Sequence, residues 1–319
     1  MEISYISQMK SISIVIPLHN EEESLPELHA ELTTVLAEIT DKYEIIFVND
    51  GSRDKSQEVI KVLAARNLHV KCISFRKNYG KAAALAVGFK AAENEIIISM
   101  DADLQDDPKA IPDMVKLIEE GYDLVSGWKK KRYDPLIYTL PSRLWNGFTS
   151  WVAGIKLHDF NCGFKAYRSE TAKCLDIYGE RHRYLPVFAH WNGFKVTEMA
   201  VPHHARKYGR SKYGIDKFVK GTLDLLTIVF LRKYLKNPLH FFGALGMLFF
   251  LAGTGILAYF GALWAIEGRL HLRPLMLLGV GALLMGVQLF SIGLICELIA
   301  HTSERDDYLI AERLNLPEK

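Results

Sequence analysis

Hydrophobic and polar positions change period repeatedly over the first 127 residues of this chain. Short apolar runs at Ser13–Pro17, Tyr43–Val48, Val70–Phe75, Ile96–Met100 and Asp123–Ser126 predict strands. Between them, Glu22–Ile39, Asp54–Ala65, Gly80–Ala92 and Pro108–Glu119 predict helices. Strand and helix in alternation, with short connections, imply an α/β domain: a mostly parallel, Rossmann-like sheet covered on both faces. Ligands of such sheets sit at the carboxyl ends of the strands, so the polar residues that follow each strand are the first to inspect.

From about 129 to 237 the pattern turns irregular and carries two amphipathic stretches. Leu140, Leu144, Phe148 and Val152 recur every four residues beside Trp145 and Trp151, and Ile215, Phe218, Val219, Leu223, Leu226 and Phe230 form a second stripe. Core-packing helices would read the same way, but Trp and Lys beside a membrane span favour interfacial helices.

The composition then shifts. Leu239–Trp264 has no charged residue and would reach about 39 Å as a helix. Pro274–Cys296 is a second uncharged run, broken only by Gln288. Two transmembrane helices are expected, joined by the short loop Ala265–Arg273, with both chain ends on one side. Arg232, Lys233 and Lys236 place that side in the cytoplasm, although Arg269 and Arg273 weaken the contrast. The expected layout is a cytoplasmic α/β domain over 1–214, an amphipathic juxtamembrane helix over 215–237, a two-helix anchor over 238–300 and a cytoplasmic tail over 301–319, all at the inner (cytoplasmic) membrane.

Charge and cysteine content narrow this only locally. The net charge of +2 identifies no partner, and nothing marks a nucleic-acid binder. Nine Lys or Arg between Arg206 and Lys236, against Asp216 and Asp224, would favour anionic headgroups next to a membrane span. Cys72, Cys162, Cys174 and Cys296 have no CxxC spacing and read as free thiols. No basic-then-apolar leader opens the chain, so its soluble part is expected to stay in the cytoplasm.

The chemistry concentrates at three strand ends. Asp101-Ala102-Asp103 follows Ile96–Met100, and two carboxylates one residue apart can hold a hard divalent cation, Mg²⁺ or Mn²⁺, with Gln105 adding an oxygen. The first strand runs into Pro17-Leu18-His19-Asn20-Glu21 and the second into Asn49-Asp50-Gly51-Ser52, groups suited to a base edge or ribose hydroxyls. Helix capping is the competing explanation: Ser24 precedes Glu27 as in a capping box, and Asp50 or Ser52 could cap the next helix. No glycine-rich dinucleotide fingerprint and no Walker sequence occurs, which points away from dehydrogenases and ATPases.

Ile14–Glu21, Phe47–Ser52, Arg76-Lys77-Asn78-Tyr79-Gly80-Lys81 and Asp101–Pro108 together resemble glycosyltransferase family 2 with its GT-A fold. Asp159-Phe160-Asn161-Cys162-Gly163-Phe164, Arg183-Tyr184-Leu185-Pro186 and Arg206-Lys207-Tyr208-Gly209-Arg210-Ser211-Lys212-Tyr213 resemble the branch of dolichyl-phosphate mannose synthases and bactoprenol glucosyltransferases. The resemblance runs from about residue 11 to 236. It implies inverting transfer of one sugar from a nucleotide sugar, UDP-linked in preference to GDP-linked, onto a polyprenyl phosphate at the membrane. By the same resemblance Pro17, Leu18, Asn20, Glu21, Asp50, Lys81, Asp101, Ala102 and Asp103 bind the nucleotide, and Asp101, Asp103 and Gln105 surround the metal on its diphosphate. The segment with Arg206, Ser211 and Lys212 closes over the donor phosphates. Lys129 and Arg143, with Ser211, receive the lipid phosphate; Lys129 stands where relatives often carry Arg, and lysine keeps the charge but loses the bidentate fork. Asp159, catalytic with Asp103 and Arg206, orients the acceptor or takes its residual proton. A processive polysaccharide synthase and a non-catalytic nucleotide-sugar-binding subunit are the alternatives, and a homo-oligomer is compatible with the sequence.

Overall fold

The computed structural model describes residues 11–129, 147, 149–150, 153–177, 181–204, 207, 230, 234, 237–268 and 273–303. They fall into two compact units divided near residue 217. In the first, strands β1 (Ile12–Leu18), β2 (Tyr43–Asn49), β3 (Val70–Ser74), β4 (Ile96–Ser99), β5 (Leu124–Lys129), β6 (Lys165–Arg168) and β7 (Val196–Val201) form one sheet of order β3-β2-β1-β4-β6-β5-β7. Helices α1 (Leu25–Ile39), α2 (Ser56–Arg66), α3 (Lys81–Ala91), α4 (Ile111–Glu119), α5 (Ser169–Cys174) and α6 (Leu185–Trp191) complete it.

β1 is buried along its whole length, as a central strand covered on both faces must be. On one side Ile14, Ile16, Leu28, Leu32, Phe47 and Ile98 share a core; on the other Val15, Ile46, Val48, Leu85, Phe89 and Ile97 share a second. Gly88 of α3 allows that second layer to close, because a Cβ there would lie 2.3 Å from Val15 Cγ1.

The sheet departs from the parallel pattern at one strand. β6 is antiparallel to both neighbours, pairing Ser99↔Lys165 with β4 and Ser126↔Lys165 with β5. The residues that precede β6 therefore arrive at the sheet end where β1, β2 and β4 finish. That inversion brings Asp159–Phe164 beside Asp101.

The expected capping box does not form. Ser24 is the N-cap of α1, but its hydroxyl donates to Glu21 O at 3.1 Å and makes no cap bond, while Glu27 pairs with Lys207 Nζ at 2.7 Å. Ser24 is buried, where a local carbonyl is its nearest acceptor. Neither Asp50 nor Ser52 caps α2, which starts after Lys55 without a side-chain cap; Asp50 serves the approach to α3 instead.

The second unit contains α7 (Pro238–Glu267) and α8 (Pro274–Ser303), both long and apolar enough to cross a membrane. Gly268, at φ 69°, ends α7 with its N–H on Trp264 O at 2.9 Å, a left-handed C-terminal cap that only glycine adopts freely. The helices meet along glycines spaced by seven: Gly246 and Gly253 on one, Gly279, Gly286 and Gly293 on the other. A Cβ on Gly253 would lie 2.5 Å from Leu283 N, and one on Gly286 would lie 2.5 Å from Phe250 N. In a membrane such close backbone approach, rather than the hydrophobic effect, holds helices together. Glu297 adds a polar tie by accepting from Leu239 N–H at 3.1 Å. We expect Gly286→Leu to destabilise the hairpin by about 1–3 kcal/mol or more through overpacking. The same change at Gly255, with nothing within 4 Å, should be silent; thermal melting in detergent distinguishes them. The amphipathic stretches expected around 140–152 and 215–230 lie almost wholly outside the described residues.

Candidate active site

The ends of β1 and β2 are knitted together by side chain to backbone bonds. Asn20 sits at φ 58°, a left-handed conformation that Asn tolerates. Its N–H donates to Ser52 Oγ at 3.0 Å and its Oδ1 accepts from Arg53 N–H at 2.8 Å. His19 Nδ1–H donates to Asp50 O at 2.9 Å, and Glu21 N–H donates to Ser56 Oγ at 2.9 Å. Pro17 and Leu18 are buried in β1. Asp50 is buried too, and its two carboxylate oxygens accept from Tyr79 N–H at 2.7 Å and Gly80 N–H at 2.9 Å. Asp50 thus fixes the turn at Gly80, φ 94°, from which Lys81 starts α3.

Lys81 reaches across to β4, where its ammonium bonds Asp101 Oδ1. Burial alone would raise the Asp101 pKa, but Lys81, with Lys129 and Lys165 further off, holds it at about 2. The Lys81 ammonium is conversely kept protonated: burial would lower its pKa, and Asp101 and Asp106 raise it overall. Gly163 lies against the same carboxylate, since a Cβ there would meet Asp101 Oδ2 at 2.7 Å.

Beyond Asp101 the chain alternates. Ala102, Leu104 and Asp106 are buried, whereas Asp101, Asp103 and Gln105 keep partial exposure. Leu104 adopts φ 58°, a costly conformation for a bulky residue, of a kind that concentrates at functional sites. Asp103 Oδ1 accepts from Gln105 N–H at 3.3 Å, and the Gln105 amide donates to His204 O at 3.3 Å. Asp101 and Asp103 fit a hard divalent cation in kind: both are oxygen donors, on alternate residues, and Asp101 is held ionised against a cationic group already. Among the described residues no group of three or more His, Cys, Asp or Glu gathers for a metal, so the remaining oxygens would come from Gln105 and from the ligand.

Asp159 is buried at the head of the loop that enters β6, and its Oδ1 accepts from Asn161 N–H at 3.0 Å. Lys129, at the end of β5, has its ammonium 3.4 Å from Asp106 Oδ1; Asp106 also lies 3.5 Å from His203 Nδ1. Burial would lower the Lys129 pKa, yet Asp106, followed by Cys162, Asp101 and Asp159, raises it overall. The Cys162 thiol is pushed up to about 12, by burial first and then by Asp106.

Sequence reasoning missed Asp106, Lys165, His182 and Gly163 as members of this cluster. His182 precedes α6, and its pKa is driven down to about 3 by burial, then by the Lys81, Arg183 and Lys165 charges, so it is a neutral ring in a charged site. Asp106 and Gly163 lay inside motifs already singled out, and Lys165 follows one by a single residue; their neighbours come from distant strands, which no local spacing reveals. Arg143, Arg206, Ser211 and Lys212 lie outside the described residues.

A mostly parallel sheet with one inverted strand, and a carboxylate pair at the end of β4, define the GT-A class of glycosyltransferases. The chain belongs to glycosyl transferase family 2, whose family model matches residues 13–176. It is 37% identical over 306 residues to dodecaprenyl-phosphate galacturonate synthase of Rhizobium johnstonii, covering 94% of this chain and 90% of that one. It is 34% identical over 300 residues to undecaprenyl-phosphate 4-deoxy-4-formamido-L-arabinose transferase of Photorhabdus laumondii, covering 92% and 89%. Among solved structures, glucosyl-3-phosphoglycerate synthase from Mycobacterium tuberculosis, in complex with phosphoglyceric acid, shares the fold at a TM-score of 0.55 and 18% identity, over 70% of this chain and 80% of that one. The same enzyme in complex with Mn²⁺, UDP-glucose and phosphoglyceric acid matches at a TM-score of 0.54 and 17% identity, over 70% and 79%.

Proposed function

We propose that this glycosyltransferase moves one sugar from a UDP-sugar to the phosphate of a polyprenyl phosphate at the cytoplasmic membrane face, inverting the anomeric centre. The observation that carries this reading is the ionised Asp101 at the end of β4, gripped by Lys81 and followed by Asp103, in a chain whose relatives of nearly the same length are named for polyprenyl-phosphate sugars.

Asp101, Asp103 and Gln105 would hold Mg²⁺ or Mn²⁺, which when bound neutralises charge on the leaving diphosphate. Lys81 keeps Asp101 ionised and placed for that task. Pro17, Leu18, Asn20 and Glu21 line the nucleoside side, with Asp50 shaping it through the Tyr79–Gly80 turn. Arg206 and Lys212 add positive charge where the diphosphate departs. Lys129, Arg143 and Ser211 receive the acceptor phosphate. That phosphate is mostly ionised near neutral pH, its second pKa being about 6, so Asp159 is needed to orient it more than to deprotonate it. The helical hairpin keeps the enzyme where the lipid is concentrated.

The test is transfer by the purified protein in detergent, with radiolabelled UDP- and GDP-sugars, undecaprenyl phosphate and either cation. The expected result is one labelled sugar per lipid, a UDP donor, and complete loss on chelation. Polymer longer than one sugar, or transfer that survives chelation, overturns the reading.

A further inference from the structure

We propose that Lys165 is a positioning residue, whose buried ammonium holds the Asp159–Phe164 loop in the shape that sets Gly163 against Asp101; the inference deepens the proposed transfer reaction and rests on it.

Four carbonyls of the loop, those of Phe160, Cys162, Gly163 and Phe164, are met by donors from the sheet. Lys165 Nζ donates to Cys162 O and, at 3.5 Å, to Phe160 O. Ser99 Oγ donates to Gly163 O at 2.7 Å, and Gly127 N–H donates to Phe164 O at 2.9 Å. Lys165 is 2% exposed, so water cannot replace it. A buried carbonyl without a donor is costly, and one flexible ammonium satisfies two that a backbone N–H could not reach together. Burying an ammonium is itself costly, which a purely packing role would not repay; methionine would fill the same space. Burial lowers the Lys165 pKa overall, while Asp159 and Asp101, within electrostatic reach, favour its charged form and oppose that shift. Its register explains the reach: Lys165 pairs with Ser99 on β4 and with Ser126 on β5, so it stands between the strand that carries Asp101 and the strand that carries Lys129.

Two variants test the role. Lys165→Met keeps length and removes the charge; Ser99→Ala removes the neutral donor to Gly163 O and is the milder change. Hydrogen exchange over 159–164 should accelerate at least tenfold in both, with β1 and β2 amides unchanged. In the transfer assay kcat should fall about 100-fold for Lys165→Met and about tenfold for Ser99→Ala, while the affinity for UDP with Mn²⁺ stays within threefold. The double variant should lose less than the product of the two, because both hold one loop. Lys165→Met that folds with wild-type exchange in the loop and wild-type kcat overturns the proposal. If Lys165→Met fails to fold, Ser99→Ala with unchanged exchange in the loop overturns it equally. Exchange reads the loop independently of activity, so a wild type that transfers no sugar to lipid would refute the proposed reaction while the positioning role is still decided.

Discussion

Asp101→Asn should lower the rate of sugar transfer by about a thousandfold at saturating donor and lipid, the scale of about 4 kcal/mol of lost transition-state stabilisation. The substitution conserves volume, so the contact with Gly163 survives while the charge does not. Two losses follow from one atom. The cation would have one carboxylate in place of two, and the Lys81 ammonium would lose the partner that it bonds directly. Both side chains are about a third exposed, so solvent shares in screening Lys81 and the fold should persist. Stabilisation of the protein by UDP with Mn²⁺, read by thermal shift, should vanish together with activity. Retention of a tenth or more of the wild-type rate would remove Asp101 from the reaction.

Gly163→Ala should cost about tenfold to a hundredfold in kcat with little loss of stability. The added methyl would fall 2.7 to 2.9 Å from three atoms of the Asp101 carboxylate, closer than real contacts allow. The backbone of Gly163 is not in the left-handed region, so alanine is not strained there and the effect is one of proximity alone. Asp101 must shift by several tenths of an ångström, and misplacement of about 1 Å at a reacting centre can cost about 100-fold. The melting temperature should stay within a few degrees of wild type. A wild-type rate would show that Asp101 has slack, contrary to its close packing.

The parallel half of the sheet was legible because β1, β2 and β4 are buried runs, separated by helices long enough to show their own period; β3, an edge strand with only Val70 buried, was read from its apolar residues between two such helices. β5 was legible for the same reason, with its start placed one residue early and its end three residues short. β6 and β7 were not. β6 has four residues that begin with lysine and end with arginine, and a buried lysine looks like a surface position in sequence. β7 lies at the sheet edge with only its last residue fully buried, so no alternation marks it. Helices α5 and α6 span six and seven residues, under two turns, too short for a face to repeat. In the site, Asp101 and Asp103 could be found because a strand end selects them out of many acidic turns. The alignment of Asp101 with Gly163 and Lys165 could not, since it follows from the inversion of β6.

That inversion also sets the earliest point in synthesis at which the Asp101 pocket can close. Ser99 and Gly163, which bond each other, are 64 residues apart in the chain. A domain is made from its N-terminus at about 5–20 residues per second. The strands β1 to β4, with Asp101 and Lys81, emerge several seconds before the loop that completes the pocket. Until β6 slots between β4 and β5, the β4 edge is unpaired and Asp101 has no floor beneath it. A nascent or clipped chain that ends before Lys165 therefore carries the acidic motif and its Lys81 partner but lacks the strand that seats Gly163 against Asp101.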